Sequence, residues 1–407
     1  MKLIPLHYAT RNLGRSPPRL ALSVGGALLV ALLLMAGAGF AQGMDQALQA
    51  SGHERNVLLL GAGSEESLER SEIPRSVAES VGASAAGVGS WDGRLLASPE
   101  IHVALPLGEA TANDADAEAE SRTGIIRGIT PMAFLLHPQV RLSAGRAPDS
   151  GSNEVIIGAS AARAAGLDPT AVSGALEERE PSRRDARPPA ITVDGRSMRI
   201  VGLFQAPGTV LDGEIWMPID DLLVLTKRET VSGVIVGLAP GASPSDIDLF
   251  AQRRIDLELS AIHEPAYYAA QSAFYRPVRI LVLVSAALVA AGALIGGLNT
   301  LYAAFATRIR ELAMLQVLGF SRAAVVISMM QESLIASLSG ALVAVVIAML
   351  FVDGIAVRFS MGVFGIRIDD RVIALGILSG IVVGIVGAIA PAVRCLSTPL
   401  PSALKSD

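Results

Sequence analysis

Lysine and histidine, which often carry phosphate and metal chemistry, are scarce in this chain and wrongly spaced for either. Its three lysines are Lys2, Lys227 and Lys405, and none follows a glycine, so the phosphate-binding G-x-x-x-x-G-K-[ST] loop cannot form. The five histidines never stand at the H-E-x-x-H spacing that places two imidazoles on one helical face. No G-x-S-x-G elbow occurs. The sequence therefore predicts a chain without a catalytic residue, a metal site or a cofactor of its own.

The hydrophobic content indicates a membrane protein. Of 407 residues, 51% are hydrophobic, and the mean hydropathy is +0.49. Four apolar runs reach the roughly 20 residues that a membrane-spanning helix needs: Leu20–Phe40, Ile280–Phe305, Ala323–Val352 and Val372–Val393. The expected fold class is an α-helical membrane protein with four transmembrane helices and a large α+β domain inserted between helices 1 and 2. As an alternative, Ala36-Gly37-Ala38 fits the cleavage site of a signal peptide, although the first run is longer than such peptides require.

Charge predicts the orientation, because short cytoplasmic segments are enriched in Lys and Arg. Segments 1–19, 306–322 and 394–407 lie on one side of a four-span chain and together carry nine basic and two acidic residues. The segments on the other side carry 24 basic and 35 acidic residues. We therefore expect a multi-pass membrane protein with cytoplasmic termini and an acidic domain on the outer side, and no nucleic-acid partner.

These signals define the expected segments. They are a cytoplasmic amphipathic lead-in at 1–19, transmembrane helix 1 at 20–41, a periplasmic domain at 42–276, transmembrane helix 2 at 278–305, a cytoplasmic coupling helix at 306–322, transmembrane helix 3 at 323–352, transmembrane helix 4 at 372–393 and a cytoplasmic tail at 394–407.

Within the outer domain, two β-α parts, at about 42–120 and 225–276, flank a β-rich insertion at about 121–224. Strand-like segments are NVLLLGAG (56–63), TGIIRGIT (123–130), NEVIIGAS (153–160), AITVDG (190–195), SMRIVGLF (197–204), GEIWMPI (213–219) and VSGVIVGL (231–238). Asp194-Gly195 predicts a tight hairpin, and Ser243-Pro244 predicts a helix N-terminus. Residues 71–81 are expected to form one short helix.

Three other stretches of the outer domain leave alternatives open. The apolar stretch 131–136 is core or an exposed strip for apolar cargo. The acidic stretch 109–122 is a solvated loop or a docking patch for a basic partner, and the stretch 174–190, rich in charge and proline, is a second loop.

Small residues recur at four-residue intervals in two apolar runs. They are Gly376, Gly380, Gly384 and Ala388 in the fourth run and Gly292 and Gly296 in the second. Such ridges let helices approach closely in a membrane, so these six are the candidate helix-packing residues. The one charge within the runs, Glu332, is either a boundary residue or a functional one.

The segment TRIRELAMLQVLGFSRAAVV (307–326) between the second and third runs is the most informative. Apolar residues at helical spacing and charges near its start predict a short amphipathic helix that Gly319 ends, and Ser321 can cap the next helix. Its apolar residues need a partner, which is either another protein or the inner leaflet of the membrane.

This segment, followed by a Glu-containing apolar helix, resembles the FtsX/MacB-type permeases of ABC transporters, whose signature reads roughly R-R-E-I-G-x-L-R-A-I-G-A-S-R. Ala313, Gln316 and Phe320 depart from the usual glycine, arginine and alanine. The resemblance extends to the lead-in LHYATRNLGRSPPRL (6–20) and to PAVR (391–394) near the end. GIIRGITP, RLSAGRAP, NEVIIG and MRIVGLF resemble the periplasmic core domain of the family, whose flanking parts are called porter-like.

The resemblance implies a non-catalytic permease of the bacterial inner membrane, multi-pass, with its large domain in the periplasm. It also implies that the permease binds a separate ABC ATPase dimer, which holds the ATP and Mg²⁺. The residues implied to bind the ATPase subunit are Arg308, Arg310, Glu311, Leu312, Leu315, Gly319, Phe320, Ser321 and Arg322. Further implied partners are a second permease, as a homo- or heterodimer, a periplasmic adaptor or substrate protein, and membrane lipid.

The output implied by the resemblance is mechanotransmission: ATP hydrolysis moves the periplasmic domains and drives extrusion or release of an apolar or amphipathic substrate such as a lipoprotein, lipid, peptide or antibiotic. The alternative is a signalling subunit that activates a periplasmic cell-wall hydrolase. The size of the outer domain favours transport.

Overall fold

The computed structural model describes residues 17–109, 122–177, 189–306, 309–359 and 362–396, together with His7 and Arg11. The chain divides into two compact units. We call residues 1–42, 277–355 and 366–407 the helical unit, and residues 43–276 and 356–365 the head. The chain therefore passes between the two units four times.

The described residues form twelve α-helices. Their bounds are α1 Pro17–Ser51, α2 Val77–Ser84, α3 Ala133–Leu136, α4 Ala159–Ala164, α5 Pro169–Glu177, α6 Ile219–Thr226, α7 Pro244–Arg253, α8 Glu264–Phe274, α9 Arg276–Ala306, α10 Ile309–Val317, α11 Arg322–Ile347 and α12 Asp370–Leu396. The 3-10 helices Val210–Gly213 and Ile255–Leu257 and the π-helical Ala348–Val352 add to these.

Within the described residues, four helices are long and apolar enough to cross a membrane. They cover Leu20–Ser51, Arg276–Leu298, Arg322–Val352 and Asp370–Arg394. Four such helices beside a mixed α/β head confirm the coarse fold class that the sequence predicts. The first helix runs past residue 41, where the predicted span ends, because the residues up to Ser51 include good helix formers and no proline.

Glycines mark the helix contacts inside the helical unit. A methyl group added at Gly380 of α12 would lie 2.5 Å from the Cβ of Ala341 in α11, and one at Gly37 of α1 would lie 2.9 Å from the Cβ of Ala286 in α9. Gly376 abuts Met35 of α1, and Gly384 abuts Ser337 of α11. In a membrane, where apolar burial drives helices together only weakly, such close backbone approach supplies the packing energy.

The remaining small residues of the two ridges differ from one another. Ala388 is fully buried in α12. Methyl groups added at Gly292 or Gly296 of α9 would meet open space, so these two glycines lie on an exposed face of α9. Glu332 lies in α11 and is only 5% exposed.

The head contains most of the described β-structure. The strands are β1 Asn56–Gly61, β2 Ile73–Pro74, β3 Ser90–Trp91, β4 Arg94–Leu95, β5 Ala97–Glu109, β6 Arg122–Ile129, β7 Arg141–Gly145, β8 Glu154–Gly158, β9 Ala190–Val193, β10 Arg196–Gln205, β11 Glu214–Pro218, β12 Thr230–Val231, β13 Gly233–Gly237, β14 Leu259–His263, β15 Ala356–Phe359 and β16 Gly362–Gly365.

Among the described residues, ten of these strands make one sheet in the order β14-β1-β13-β5-β6-β11-β8-β10-β7, with β9 pairing with both β10 and β5. The 13-residue β5 joins its two halves: its start pairs with β13 of the flanking part, and its later residues pair with β6 of the insertion. Most pairs are antiparallel, but β6 with β11 and β8 with β10 are parallel. One strand therefore carries the sheet from the flanking part into the insertion.

Local sequence signals account for several of these elements. Asp194 and Gly195 both have positive φ, 48° and 74°, and form the tight turn between β9 and β10, as predicted. Ser243 caps α7 with Pro244 in its first turn, and Asp246 completes a capping box. The helix predicted over 71–81 is wrong in its first half: Ile73–Pro74 is the short strand β2, and the helix begins only at Val77. Pairing of Ile73 with Val231 of β12 overrides the local helical pattern.

Of the three stretches of the head for which the sequence left alternatives open or predicted loops, the structure describes only 131–136 completely. The apolar stretch 131–136 is mainly core, because Ala133 and Leu136 are buried, while Leu135 is 44% exposed. The two predicted loops fall largely on 110–121 and 178–188, which lie outside the described residues, and residues 174–177 end α5.

The β-hairpin β15–β16 is a part of the head that the sequence did not predict. It lies in the chain between α11 and α12, yet Val363 and Phe364 are buried in the head. A methyl group added at Gly213 would lie 2.6 Å from the backbone nitrogen of Val363. The chain between the third and fourth spans therefore supplies part of the packing of the insertion.

Replacing Gly380 with leucine tests the contact between α11 and α12. We expect Gly380→Leu to destabilise the full chain by about 1–3 kcal/mol, because the larger side chain must displace Ala341. Thermal unfolding of the chain in lipid nanodiscs measures this loss. Gly292→Leu is the matched control, since its side chain enters open space. Equal melting temperatures for the two variants would contradict the assigned contact.

Candidate functional site

The connection between α9 and α11 is a short helix with a defined end. In α10, the backbone N–H of Phe320 donates to the carbonyl of Leu315 at 3.2 Å, and that of Gly319 donates to Gln316 at 3.0 Å. Gly319 has a φ of +92°. These are the two hydrogen bonds and the left-handed residue of a Schellman motif, which stops the helix at one position. A β-branched or bulky residue at Gly319 would be strained there.

The cap of the next helix, Ser321, lies two residues after Gly319. The Ser321 side-chain oxygen accepts a hydrogen bond from the backbone N–H of Ala324 at 3.2 Å, which caps α11. Arg322 is the first residue of α11 and is exposed. Because the Schellman motif ends α10 and the Ser321 cap begins α11 within a few residues, the connection between the two helices has little conformational freedom.

One face of α10 packs inside the helical unit. A buried cluster contains Leu312 of α10, Val325 and Met329 of α11, and Ala392 of α12. Ile309, Leu315 and Phe320 pack against this cluster and are partly buried. Ala313 is 1% exposed, so this position has room for only a small residue, in keeping with the usual glycine of the family signature. The helix is thus held on the ends of two spanning helices.

The opposite face of α10 is exposed. Arg310 and Glu311 lie on it, and three apolar side chains follow: Met314 is 48% exposed, Val317 67% and Leu318 75%. The sequence prediction includes Leu312, which is 4% exposed and packs in the chain's own core. It does not include the exposed residues Met314, Val317 and Leu318. Arg308 lies outside the described residues.

A second arrangement, in the head, combines charged side chains that are almost fully buried. We call Glu100 of β5, Arg127 of β6, Glu214 of β11, His137 after α3 and Glu264 of α8 the buried charge cluster; each is at most 2% exposed. The register explains the first three. Arg127 stands opposite His102 of β5 and Trp216 of β11, and side chains two residues apart on a strand share a face.

Arg127 is the centre of the buried charge cluster. Its Nε and Nη2 donate to the two carboxylate oxygens of Glu214 at 2.6 and 2.7 Å, and its Nη1 donates to Glu100 at 2.8 Å. Trp216 Nε1 donates to Glu214 at 2.7 Å, and His102 Nε2 lies 3.3 Å from the same carboxylate. A bidentate guanidinium–carboxylate pair with further donors can offset the loss of hydration on burial.

The cluster continues towards α8 through His137. His137 Nε2 lies 3.3 Å from a carboxylate oxygen of Glu100, and its Nδ1 lies 3.9 Å from Glu264. Burial would lower the pKa of His137, but the two carboxylates outweigh it and raise the pKa. Burial raises the pKa of Glu264, and His137 offsets only part of that effect.

The carboxylates that face Arg127 have the opposite shift. Burial would raise the pKa of Glu214 and of Glu100, but Arg127 beside Glu214, and His137 and Arg127 beside Glu100, hold both pKa values below the ordinary range. The pKa of Arg127 lies well above its usual value despite burial, because of the two carboxylates. Arg127 therefore lies between the two carboxylates, and His137 lies beside one of them, Glu100.

The sequence analysis assigned the strands but not this cluster. The sequence nevertheless contains an indication of the cluster, because two charged residues stand in apolar strands: Arg127 lies inside GIIRGI, and Glu214 begins EIWMP. A charge within an apolar strand is costly to bury alone, so each such residue predicts a buried partner. Which partner it meets depends on strand order, and β6 and β11 are separated by about ninety residues of sequence.

A small cavity lies within the helical unit among α1, α9, α11 and α12. Three of its lining residues, Gly26, Gly297 and Gly387, leave space because they have no side chain. Its polar lining consists of Ser23, Ser333 and Ser337. None of the residues that line this cavity is charged, so its chemistry suits an apolar occupant rather than an ion.

Four helices that are long and apolar enough to span a membrane, a capped helix between two of them and a separate α/β head define the class as a four-span membrane protein with a large folded domain. Comparison with family models identifies the class further. Residues 20–248 match the MacB-like periplasmic core domain, and residues 283–400 match the FtsX-like permease C-terminal domain. The chain therefore belongs to the FtsX/MacB-type permease family of ABC transporters. Members of this family are non-catalytic permease subunits that work with an ABC ATPase.

Solved structures similar to the chain are periplasmic or extracellular domains. One is the periplasmic region of MacB from Actinobacillus actinomycetemcomitans, with 13% identity, a TM-score of 0.38, and coverage of 55% of this chain and 94% of that one. Another is the extracellular domain of the noncanonic ABC-type transporter YknZ from Gram-positive bacteria, with 13% identity, a TM-score of 0.34, and coverage of 51% and 99%. No curated protein matches the chain.

Removing the arginine of the buried charge cluster should cost much of the stability of the head. We expect Arg127→Met to lower the free energy of unfolding by about 3–5 kcal/mol, because Glu214 and Glu100 are left buried without their counter-charge. Trp216, next to Glu214, reports the transition by fluorescence in a Trp91→Phe background, where it is the single tryptophan of the chain.

The control for this loss is an exposed ion pair. Arg75 and Asp220 are about half exposed, so Arg75→Met should change the same free energy by only about 0–1 kcal/mol. Urea unfolding curves of equal midpoint for Arg127→Met and Arg75→Met would contradict a structural role for the cluster.

Proposed function

We propose that this chain is the permease subunit of an ABC transporter that couples ATP hydrolysis by a separate ATPase to movement of its head. The observation that carries the proposal is α10, which is packed on one face and exposes Met314, Val317 and Leu318 on the other. Exposed apolar residues beside charges are typical of a docking surface for a partner protein. Arg310 and Glu311 add charges that can select that partner.

The packing of α10 supports force transmission rather than simple attachment. A push on its exposed face reaches α11 and α12 directly, because Leu312 and Leu315 pack on Val325, Met329 and Ala392. The Schellman motif and the Ser321 cap keep the angle between α10 and α11. A partner that moves α10 therefore moves the spanning helices with it.

In the proposed assembly, the termini and α10 face the cytoplasm and the head faces the periplasm, in line with the positive charge of segments 1–19, 306–322 and 394–407. The ATPase dimer holds the ATP and Mg²⁺, and this chain holds no cofactor. A second permease, identical or different, completes the complex. Exposed apolar residues on α9, among them Leu281, Leu288 and Ile295, suit contact with lipid or with that second permease.

We propose transport of an apolar or amphipathic substrate, such as a lipoprotein, lipid, peptide or antibiotic, as the output. Two observations support this class of substrate: the head includes a β-rich insertion, and the cavity among the spanning helices is apolar apart from three serines. Purification from native membranes followed by mass spectrometry tests it. An adaptor or a bound lipoprotein beside the ATPase would support transport, and a cell-wall hydrolase would point to signalling instead.

Two substitutions test the ATPase contact. We expect Glu311→Lys and Leu318→Asp each to abolish recovery of a P-loop ATPase with the permease, because one reverses a charge and the other places a charge in the apolar surface of α10. Affinity purification with quantitative mass spectrometry gives the ratio of ATPase to permease, and the ATPase rate of the complex gives a second readout.

Ile255→Asp is the control for these variants. Ile255 is 82% exposed in the head, so this change introduces the same charge away from α10. The control should retain one ATPase per permease. Full ATPase recovery with both Glu311→Lys and Leu318→Asp would refute the assigned docking surface.

A further inference from the structure

The end of α1 and the start of α8 meet in the head. Ser51 is the last residue of α1, and Gly52 lies so close to α8 that an added methyl group would stand 2.8 Å from the Cα of Pro265. Ser272 of α8 also donates a hydrogen bond to Asp45 of α1. In the chain, α1 contains the first span, and α8 immediately precedes α9, which contains the second. The two helices that continue into spans therefore meet within the head.

Glu264 joins this meeting point to the sheet. One oxygen of its carboxylate accepts hydrogen bonds from the backbone N–H of His53 and from Asn56 Nδ2, both at 2.9 Å. His53 follows the end of α1, and Asn56 begins β1. A carboxylate at the first turn of α8 is also favoured by the helix dipole. Glu264 thus holds the chain after α1, the start of β1 and the start of α8 together.

His137 links Glu264 to the rest of the buried charge cluster. It is fully buried between Glu264 of α8 and Glu100 of β5, and its ring makes an edge contact with Trp216 at 5.7 Å between centroids. Glu100 in turn contacts Arg127, which holds Glu214 of the insertion. A continuous line of charged contacts therefore runs from α8, through His137, to β11.

We propose that His137 is a proton-dependent positioning residue, whose charged form clamps α8 and the end of α1 to the sheet of the head. This inference rests on the proposed function in one respect: the contacts of charged His137 would determine how much of a movement of the first two spans is transmitted to the insertion. In the charged form, the imidazolium ring lies between two carboxylates, and in the neutral form Glu100 and Glu264 face each other across an uncharged ring.

The charges around His137 give the sign of the effect. The groups that face it are Glu100 from β5, Glu264 from α8, Arg127 from β6 and His53 from the segment after α1. Because the pKa of His137 is raised above 6.5, its stabilising contribution is complete below that pH and is lost as the pH rises through the raised value. Burial raises the pKa of Glu264, and charged His137 opposes that shift, so protonation of His137 favours the ionised carboxylate that it contacts.

Fluorescence of Trp216 tests whether His137 titrates. A protonated imidazole quenches a neighbouring indole more than a neutral one does, so in the Trp91→Phe chain the emission should rise with pH and have a midpoint above 6.5. Adding His137→Gln should remove this titration between pH 5.5 and 8.5. Adding His102→Gln, which changes a buried histidine at Glu214 but leaves His137 and its partners in place, should preserve it.

Hydrogen–deuterium exchange tests whether the proton closes the clamp. In the full chain in nanodiscs, amides of 53–58 and 264–268 should exchange several-fold more slowly at pH 6 than at pH 8, after correction for intrinsic rates, because charged His137 holds these segments to the sheet. His137→Gln should abolish the difference. Glu264→Gln, which keeps an oxygen acceptor for His53 and Asn56, should reduce it and serves if His137→Gln does not fold.

Each result bears on the clamp separately from the ATPase proposal, because both experiments use the permease alone. A pH-independent Trp216 emission, equal corrected exchange at the two pH values, or an unchanged pH difference in both the His137→Gln and Glu264→Gln variants would overturn the clamp. None of these outcomes would alter the docking test on Leu318, and loss of ATPase docking would leave the clamp unaffected.

Discussion

The head depends on one buried guanidinium. Arg127 is 2% exposed at the centre of a ten-stranded sheet, where an unpaired charge would be expensive to dehydrate. Its two hydrogen bonds to Glu214 and one to Glu100 require β5, β6 and β11 to be neighbours in a single register. A shift of one residue in any of these strands would move the charges to the opposite face of the sheet. The buried pair therefore selects a register as well as contributing energy.

The same constraint joins the flanking part of the head to the insertion. Glu100 lies on the part of β5 that pairs with β13, while Glu214 lies on β11 in the insertion. Glu264 and His137 extend the charged contacts to α8. Buried charges lose much of their interaction energy when they are separated, so these contacts hold the flanking part and the insertion together.

The helical unit achieves rigidity by different means, because its surroundings are different. Its helices approach at Gly37, Gly376, Gly380 and Gly384, where backbone proximity replaces apolar burial. At α10, a Schellman motif and a serine cap fix the turn, and a small apolar cluster holds the helix on α11 and α12. The opposite face of α10 is exposed.

The sequence by itself determined the elements whose causes are local. Apolar length marks the spans, Gly319 and Ser321 mark the ends of two helices, and Asp194-Gly195 marks a hairpin, because each depends on the residues within a few positions. Only the tertiary structure decided which side chains of α10 are exposed, since Leu312 and Leu318 have the same hydrophobicity and differ in whether α11 and α12 cover them. It also decided that residues 356–365 belong to the head and that Arg127 meets Glu214, because those contacts join segments that are far apart in the chain.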